Sequence, residues 1–420
     1  MKLRDYQQQV VDKIMWAKDL PGNDVVVVAQ GGGKSIIIAD VADKLGKALI
    51  ICPNKEILEQ NIEKMEHYVD RDLIGVYSAS MGEKSIKKIT YGTIQSMYKH
   101  PELFIDFDIV IYDEADLHNP KRVEGMSSQL FKGAKIKKVF GFTGTPYRQD
   151  VFYKYPPGYR GLAWQKTKIE AITTTMMINR YKSRFWKRML CVINTHELMD
   201  QGYLTPIEYH EMNLVDHDEI PTNKSKSDFD MEAFEEILQG AHEDIVEQIQ
   251  SLPHKAKLVF CSSIEQAEAL HELTPDSEVV TSKTSKKKRA ATVKALKDGS
   301  LKILYNVGIF TVGFDYPELD CLVLLRPTRS LRLHSQILGR VSRIAEGKTK
   351  GHVYDFVSNV KNMGKLEEIV VKKVRAYYQG KEYMTWDVVS DAMPNGFHHT
   401  PLYKYEIRKK PKNESLSLTF

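Results

Sequence analysis

The sequence is poor in cysteine and has no long uncharged hydrophobic run. Its four cysteines, Cys52, Cys191, Cys261 and Cys321, are far apart and include no Cys-x-x-Cys pair. This spacing argues against a disulfide framework and indicates reduced thiols with no zinc site. No segment reaches the roughly 18 consecutive apolar residues that a membrane helix needs, and the first residues lack the hydrophobic core of a signal peptide. We therefore expect a soluble, cytoplasmic protein that does not bind a membrane.

Neither sign of charge dominates the sequence. Lys and Arg number 60, and Asp and Glu number 55, which gives a formal net charge of +5. This slight excess is compatible with a nucleic-acid partner but does not require one. Hydrophobic residues make up 42% of the chain, an ordinary share for a globular protein. Because 420 residues exceed what one core usually serves, we expect two or three domains.

Short β-branched segments alternate with helical segments in two parts of the sequence. The pattern is clear at Val25-Val26-Val27-Val28, before the helical run from Ser35, and it resumes at Lys257-Leu258-Val259-Phe260. Such alternation is typical of an α/β fold with a parallel sheet covered by helices. The predicted domains are a first parallel-sheet lobe at 1–150, a helical insertion rich in basic and aromatic residues at 151–196, a second parallel-sheet lobe at 197–361 and a short helical C-terminal extension at 362–420.

A glycine-rich turn, Ala29-Gln30-Gly31-Gly32-Gly33-Lys34-Ser35, follows the first of these strands. Glycines let the backbone wrap around phosphates, and the start of the next helix attracts the anion. At these positions Lys34 reaches the β- and γ-phosphates and Ser35 binds Mg²⁺. The phosphate-binding pattern has a further glycine six residues before Lys34, where this sequence has Val28. A glycine-rich turn without a ligand is the alternative, but Gly-Lys-Ser at a strand-to-helix boundary favours phosphate binding.

Four residues of mostly acidic character, Asp113-Glu114-Ala115-Asp116, end another predicted strand. Open α/β sheets bind their ligands at the carboxyl ends of the strands. There Asp113 can hold the Mg²⁺ that bridges nucleotide phosphates, and Glu114 can orient or deprotonate the attacking water. The alternative is an acidic loop that caps the next helix and needs no metal. The glycine-rich turn upstream favours the catalytic interpretation.

Two arginines follow a glutamine in the segment Gln336-Ile337-Leu338-Gly339-Arg340-Val341-Ser342-Arg343. If this segment is helical, Gln336, Arg340 and Arg343 share one face. Paired arginines can neutralise the charge of a transferring γ-phosphoryl group. A solvated basic helix face is the alternative, and it would be favoured for this segment alone. The other two motifs need a partner of this kind, so we favour the catalytic role.

In this order the motifs resemble those of the superfamily-2 helicases, from Leu3 to about Phe356. The resemblance implies two tandem RecA-like lobes that bind ATP and Mg²⁺ between them and hydrolyse ATP in response to nucleic acid. It also implies that Thr143-Gly144-Thr145-Pro146 couples the nucleotide to the nucleic acid. The nucleotide-binding positions implied in this way are Arg4, Gln7, Gln30, Gly31, Gly32, Gly33, Lys34 and Ser35, with Gly313 and Asp315 in the second lobe.

The details of the motifs bear on the substrate. The letters Asp-Glu-Ala-Asp are those of the DEAD-box RNA helicases, but that group has Ser-Ala-Thr where this chain has Thr143-Gly144-Thr145. The segment Gly313-Phe314-Asp315-Tyr316-Pro317 is more similar to DNA-repair and phage recombination helicases of the RadD and UvsW kind. That similarity implies remodelling of forked or branched DNA in a bacterial or phage-infected cell, by a monomer. An RNA helicase and an ATPase clamp that does not translocate remain alternatives.

The resemblance also implies a nucleic-acid path across both lobes. Hydroxyl and amide groups in loops suit contacts to the phosphate backbone, because they hold it without reading bases. For each residue alone, a turn or helix-cap role is the alternative. The positions concerned are Pro53, Asn54, Lys55, Thr93, Ser262, Ser263 and Thr311.

Basic and aromatic residues are interleaved in the predicted insertion. Arg184, Lys187 and Arg188 flank Phe185 and Trp186. Basic residues bind phosphates, and aromatic rings stack on exposed bases or wedge at a junction. Equally, the aromatics could form a small core of the insertion, with the basic residues on its solvated side. The sequence leaves these two interpretations open.

Overall fold

The structure is a computed structural model that describes residues 2–118, 124–154, 170–180, 185–310, 316–378 and 381–392. Its strands are β1 (Asn23–Val28), β2 (Ala48–Cys52), β3 (Ile74–Ser78), β4 (Glu83–Lys84), β5 (Ile89–Thr93), β6 (Ile109–Asp113), β7 (Lys138–Thr143), β8 (Tyr147–Lys154), β9 (Glu170–Met177), β10 (Trp186–Ile193), β11 (Ile207–Glu211), β12 (Lys257–Phe260), β13 (Ser277–Val280), β14 (Ile303–Asn306), β15 (Cys321–Leu324), β16 (Gly351–Asp355), β17 (Val370–Tyr378) and β18 (Lys381–Val389). Its α-helices are α1 (Asp5–Ala17), α2 (Lys34–Leu45), α3 (Lys55–Met65), α4 (Ile94–Met97), α5 (Met126–Gly133), α6 (Thr195–Asp200), α7 (Met231–Ile237), α8 (His242–Ser251), α9 (Ile264–Glu272), α10 (Lys286–Asp298), α11 (Leu331–Leu338) and α12 (Asn359–Met363). None of these helices is long and apolar enough to cross a membrane.

The first compact unit combines Met1–Arg148 with Met177–Asn194. Its eight-stranded sheet has the order β10-β1-β7-β6-β2-β5-β3-β4, and its strands pair in parallel except β4 with β3. Strands of a parallel sheet are buried on both faces, which requires nearly continuous apolar sequence. Accordingly, every residue of β2 is buried, and so are Val25 to Val28 of β1. The predicted parallel-sheet lobe is confirmed.

The second compact unit combines Gln149–Met176 with Thr195–Phe420. Its six-stranded sheet has the order β11-β16-β15-β12-β14-β13, and all its pairings are parallel. Leu258, Leu304, Leu322 and Val353 from four adjacent strands are fully buried in its core. This is the second parallel-sheet lobe that the alternating pattern predicted.

The prediction for 151–196 was wrong in its secondary structure. No strand pattern was expected there, yet β9, β10 and the second half of β8 lie in this segment. β10 pairs in parallel with β1 and so extends the sheet of the first unit. Trp186 is 1% exposed, and its indole occupies space over Gly141, where an added Cβ would lie 2.4 Å from the ring. The side chain of Trp186 is therefore part of a core and unavailable for base stacking.

The basic residues of β10 obscured its strand pattern in the sequence. In the fold, the charge of Arg188 is paired with a buried carboxylate. Arg188 donates to both carboxylate oxygens of Asp24, at 2.7 and 3.0 Å. Asp24 has no exposed surface. Lys138 Nζ binds the same carboxylate at 2.7 Å and the carbonyl oxygens of Leu20 and Gly22 at 3.0 and 2.8 Å. Three neighbouring strands, β10, β1 and β7, thus share one ionic cluster, which accounts for a basic residue within a parallel strand.

The predicted helical extension was also wrong within the described residues. β17 and β18 form an antiparallel hairpin whose register runs from Val370 opposite Val389 to Tyr378 opposite Lys381. β-Branched residues fit a pleated, half-buried surface better than a helix. Val371 and Val388, which pair across the hairpin, are 5% and 1% exposed. Residues 393–420, including the basic tail, lie outside the described residues.

We expect Asp24→Ala to lower the free energy of unfolding by about 3–5 kcal/mol, because it leaves the Lys138 ammonium buried without its counter-charge. The side chain of Lys138 is only 4% exposed. Chemical denaturation followed by tryptophan fluorescence measures the change. Asp19→Ala is the matched control, since Asp19 pairs with Lys18 but is 82% exposed; it should change stability by less than about 1 kcal/mol. Equal effects of the two substitutions would contradict the structural role of Asp24.

Candidate functional site

The glycine-rich turn connects the end of β1 to the start of α2. Gly31 and Gly33 have φ values of 78° and 76°, which favour glycine. An added Cβ at Gly33 would also lie 2.5 Å from the side-chain nitrogen of Gln7. Val28 is the last residue of β1 and fully buried, so the valine that departs from the phosphate-binding pattern lies in the strand and not in the turn. The backbone is thus shaped as a loop that opens onto a helix N-terminus, which attracts anions.

Helix α1 is tied to this loop through two side chains. Tyr6 Oη donates to the carbonyl oxygen of Gly32 at 2.8 Å, and Gln7 Nε2 lies 3.5 Å from the same oxygen. The backbone N–H of Arg4 donates to Gln7 Oε1 at 3.0 Å, which fixes the orientation of the amide. Gln7 therefore lies at the phosphate-binding loop, as its predicted nucleotide role requires. Tyr6 was not singled out from the sequence, although it is next to Gln7.

The two acidic residues lie beside the same loop. Asp113 is the last residue of β6, and Glu114 follows it with φ 52° and ψ 55°. A left-handed conformation is strained for a non-glycine residue and clusters at active sites, although other described residues such as Lys135 and Ser358 also adopt it. Lys34 Nζ lies 3.7 Å from Glu114 Oε1, and both side chains are largely buried. The structure thus brings together the lysine, the aspartate and the glutamate that the sequence separated by about 80 residues.

Burial raises the pKa of Asp113, and the positive charge of Lys34 and a hydrogen bond from Asn61 partly offset this effect. Asn61 Nδ2 donates to Asp113 Oδ2 at 2.9 Å. Asn61 is fully buried on α3, on the same face as Ile57, Leu58 and Ile62. Asn61 is a polar residue among the apolar positions of α3, and this pattern could have indicated from the sequence that it has a buried partner. It was not singled out. The amide orients the carboxylate and stabilises its charged form.

The strand next to β6 adds a further connection. Thr143, at the end of β7, donates from Oγ1 to Asp116 Oδ1 at 2.8 Å. The same hydroxyl accepts a bond from the backbone N–H of Thr145 at 3.0 Å. Gly144 lies close to Gln30, because an added Cβ would be 3.1 Å from its side-chain nitrogen. The Thr-Gly-Thr segment therefore contacts both the acidic motif and the glycine-rich loop.

These residues fit a nucleoside triphosphate with Mg²⁺. The glycine-rich loop offers phosphates a helix N-terminus and the ammonium group of Lys34. The loop needs glycine at position 33, because a side chain there would fill the space beside Gln7. Asp113 is a buried carboxylate oriented by an amide donor, and Ser35 is the second residue of α2. Carboxylate and hydroxyl oxygens are the ligands that Mg²⁺ prefers. Asp113 and Ser35 would hold the ion.

The predicted motif with two arginines differs from expectation. Helix α11 ends at Leu338, and Arg340 and Arg343 lie in the turns that follow, so they do not share one helix face with Gln336. The bonds from Arg340 N to Ile337 O and from Val341 N to Leu338 O are of the tighter i to i−3 kind. Gln336 is 2% exposed, and its side-chain nitrogen has no hydrogen-bond partner among the described residues. The roles of these residues toward phosphates stay predictions.

Several predicted nucleic-acid contacts have local structural roles. Asn54 and Ser263 cap α3 and α9, accepting bonds from backbone N–H groups at 2.9 Å. Thr93 and Ser96 share a hydrogen bond at 3.0 Å, and Lys55 pairs with Glu59 at 3.3 Å. The alternative of a cap or turn residue thus describes part of what they do.

The two other predicted contacts also have neighbours in the fold. Pro53 precedes the α3 cap, and Ser262 binds Glu235 and Gln266. Whether any of them contacts nucleic acid stays a prediction.

Arg188 has a structural role that the sequence did not reveal. Its guanidinium binds the buried Asp24 while its side chain stays 35% exposed, and its predicted contact with nucleic acid stays a prediction. Lys187 is exposed, and its aliphatic part packs where a side chain at Gly22 would lie. Four predicted site residues, Arg184, Thr311, Gly313 and Asp315, lie outside the described residues.

Two family models match the chain. The model described as the res subunit of type III restriction enzymes matches residues 1–148, which hold the glycine-rich loop and the acidic motif. The model described as the helicase conserved C-terminal domain matches residues 240–345, which reach past both arginines. The two matches fall in different compact units of the fold.

Curated relatives are distant but cover most of the chain. A Saccharomyces cerevisiae protein described as the ATP-dependent helicase IRC3 is 23% identical over 84% of this chain and 51% of its own length. A protein of a Sulfolobus islandicus filamentous virus, described as helicase 22, is 24% identical over 85% of this chain and 64% of its own length. A mimivirus protein described as the ATP-dependent RNA helicase L396 is 22% identical over 81% of this chain and 61% of its own length. The chain therefore spans half to two thirds of these relatives.

Solved structures confirm the fold. An HsdR subunit of a type I restriction enzyme from Vibrio vulnificus YJ016 is similar with a TM-score of 0.60, at 18% identity over 87% of this chain and 66% of that one. The type ISP restriction-modification enzyme LlaBIII bound to DNA is similar with a TM-score of 0.58, at 18% identity over 84% of this chain and 27% of that one. At this identity the likeness concerns the fold alone.

We expect Gly33→Ala to lower kcat/KM for ATP on the order of 10²-fold, because the new Cβ displaces Gln7 and distorts the loop beside Lys34. Steady-state ATP hydrolysis measures this. Gly46→Ala is the matched control: Gly46 also has a positive φ, 66°, but an added Cβ would meet nothing within 4 Å. It should cost about 1–2 kcal/mol of stability and leave hydrolysis intact. An equal loss of hydrolysis in both variants would show that backbone strain, and not the contact with Gln7, is responsible.

Proposed function

We propose that this chain, which has the two domains of a superfamily-2 helicase, is an ATP-driven DNA translocase that remodels forked or branched DNA. The observation that carries the proposal is the convergence of Lys34, Asp113 and Glu114 at the carboxyl edge of one parallel sheet. A phosphate-binding loop beside a buried carboxylate pair is suited to hydrolysis of a nucleoside triphosphate. The paired domain matches indicate a nucleic-acid-dependent ATPase, so the energy of hydrolysis would drive movement on nucleic acid.

Each residue of the first unit has a distinct part in hydrolysis. In the structure Lys34 faces Glu114 at 3.7 Å. The β- and γ-phosphates of ATP would compete for Lys34, which frees the Glu114 carboxylate to orient and deprotonate the attacking water. Asp113 and Ser35 would hold Mg²⁺, which supplies charge stabilisation to the phosphates when bound. The bond between Thr143 and Asp116 would transmit a change at the nucleotide to the end of β7.

DNA is the favoured track. The family model described for a subunit of type III restriction enzymes supports it over RNA. The motif similarities to repair and recombination helicases favour forked or branched DNA. The relative described as an RNA helicase supports RNA as the second candidate. We propose that the working form is a monomer.

Arg340 and Arg343 are proposed to act on the γ-phosphate of ATP. We expect Arg343→Ala to keep ATP binding but to lower kcat by about 10³–10⁵-fold, the usual loss when an arginine finger is removed. Equilibrium binding of a fluorescent ATP analogue and steady-state hydrolysis together measure this. Arg375→Ala, on the exposed side of β17, is the control and should change neither quantity. Loss of nucleotide binding by a folded Arg343→Ala would contradict the assignment.

The decisive experiment is Mg²⁺-dependent ATP hydrolysis without nucleic acid and with single-stranded DNA, duplex DNA, forked DNA or single-stranded RNA. We expect forked DNA to stimulate hydrolysis most and Glu114→Gln to abolish turnover while ATP still binds. Glu102→Gln, an exposed glutamate beside His100, is the matched control and should behave as the unsubstituted protein. Clearly stronger stimulation by RNA than by every DNA would replace DNA with RNA as the track.

Hydrolysis and translocation are separated by a second assay. A translocase displaces the third strand of a DNA triplex, whereas an ATPase clamp hydrolyses ATP without displacing it. We expect displacement that requires ATP and is absent in Glu114→Gln. Stimulated hydrolysis without displacement would favour the clamp. No stimulation by any nucleic acid would contradict the proposed function.

A further inference from the structure

A cluster of metal-binding side chains lies on the second unit, apart from its helicase motifs. Glu208, His210 and His352 each offer one ligand atom, and these atoms all lie within 4.8 Å of one another. His210 Nε2 is 3.2 Å from His352 Nδ1 and 3.9 Å from Glu208 Oε1. The expectation of no zinc site considered only the cysteines; the histidines are separated by 142 residues in the sequence.

The register of two strands creates this cluster. β11 and β16 pair in parallel, with Glu208 opposite His352 and His210 opposite Tyr354. Side chains two residues apart on a strand share a face, and so do directly opposite residues. All three ligands therefore project from the same face of the sheet. β11 is the edge strand of this sheet, so the face stays accessible there.

The distance between the two histidine nitrogens is compatible with a tetrahedral ion as well as with a hydrogen bond. Two imidazole nitrogens bound to zinc at 2.0–2.1 Å in tetrahedral geometry are about 3.3 Å apart. The observed separation of 3.2 Å between His210 and His352 needs no rearrangement to reach this value. Glu208 is farther, but its side chain is 44% exposed and can adjust. A set of two histidines and one glutamate with a water in the fourth position is a known zinc arrangement.

Neighbouring side chains hold the ligands in place. His210 stacks on the ring of Tyr354, with centroids 4.4 Å apart and planes at 10°. The hydroxyl of Tyr354 lies 3.0 Å from His254 Nε2, and His254 Nδ1 lies 3.1 Å from Asp320 Oδ2. Both nitrogens of His254 are thus engaged, so His254 supports the cluster and is not a ligand. Such outer partners orient the ligands of metal sites.

Among the described residues, Lys350 is a cation that contacts the cluster, and its position leaves room for a metal. Lys350 Nζ binds Glu208 Oε2 at 2.8 Å, whereas Oε1 is the oxygen that faces His210. A carboxylate can bind a lysine with one oxygen and an ion with the other. Lys350 therefore fixes the rotation of the carboxylate while its second oxygen points to the histidines.

We propose that Glu208, His210 and His352 form a binding site for a divalent transition-metal ion of the zinc kind. Nitrogen ligands select such an ion over the Mg²⁺ that ATP hydrolysis uses, since Mg²⁺ prefers oxygen. The ion would clip the edge strand β11 to β16. The cluster lies in the strands themselves, before their carboxyl ends, so it is distinct from the predicted contacts that follow β12. The proposal does not depend on the proposed function.

The test is zinc binding by the full-length chain purified without a polyhistidine tag and stripped with a chelator. Competition with a chromophoric chelator, in the presence of millimolar Mg²⁺, gives stoichiometry and affinity, and Co²⁺ absorption reports four-coordinate geometry. We expect one high-affinity equivalent. His352→Ala and Glu208→Gln should each lower the affinity for zinc by at least about 10-fold. Substitution of residues that only support metal ligands already costs about that much, and these two residues are ligands themselves. Two variants keep the test valid if one fails to fold by circular dichroism.

His100→Ala is the matched control, because it removes a histidine whose side chain is 52% exposed and outside the cluster. It should bind zinc as the unsubstituted chain does. No high-affinity equivalent in the unsubstituted chain, or equal binding by His352→Ala and His100→Ala, would overturn the proposal. Either result leaves the ATP hydrolysis assays unaffected, so the two proposals fail separately.

Discussion

The buried carboxylate of Asp24 holds three strands of the first unit together through its bonds to two basic side chains. It lies near the start of β1, the strand that leads directly into the phosphate-binding loop. Lys138 from β7 and Arg188 from β10 both bind it, so one charge fixes the lateral order of three strands. An isolated charge in such a place would cost several kcal/mol, whereas a fully bonded cluster is tolerated and sets a unique register. Lys34 begins the helix that follows this strand and its loop.

At the candidate site, the charged side chains at the carboxyl ends of the strands also have bonding partners. Lys34 Nζ lies 3.7 Å from Glu114 Oε1, and Asn61 donates to Asp113, whose carboxylate would otherwise be buried with too few donors. Glu114 adopts a left-handed conformation at the end of β6, and its carboxylate lies beside Lys34 of the loop. Buried charges and a residue in a left-handed conformation thus occur together at the candidate site. The hydroxyl of Thr143 joins this edge to the next strand.

The two sheets use their strands differently. In the first unit the functional groups lie at the carboxyl ends, as is general for open parallel sheets. In the second unit the histidine cluster lies on the face of β11 and β16, near the edge strand, where a parallel sheet is least covered. An exposed edge is a liability that proteins protect. A metal clip at Glu208, His210 and His352 would protect this one while the carboxyl ends remain available to the helicase motifs.

Local patterns were enough to predict the two parallel-sheet lobes, the glycine-rich loop and the acidic motif at the end of β6, because hydrophobic periodicity and glycine turns act over a few residues. Three features could not be predicted in this way. The bond between Arg188 and Asp24, 164 residues apart, forms only because β10 pairs with β1. Asn61 gained its role only when α3 packed beside β6. The histidine cluster exists only through the register of β11 with β16. Whether a polar or charged side chain is buried, paired or free to bind depends on partners remote in sequence, and only the tertiary structure brings them together.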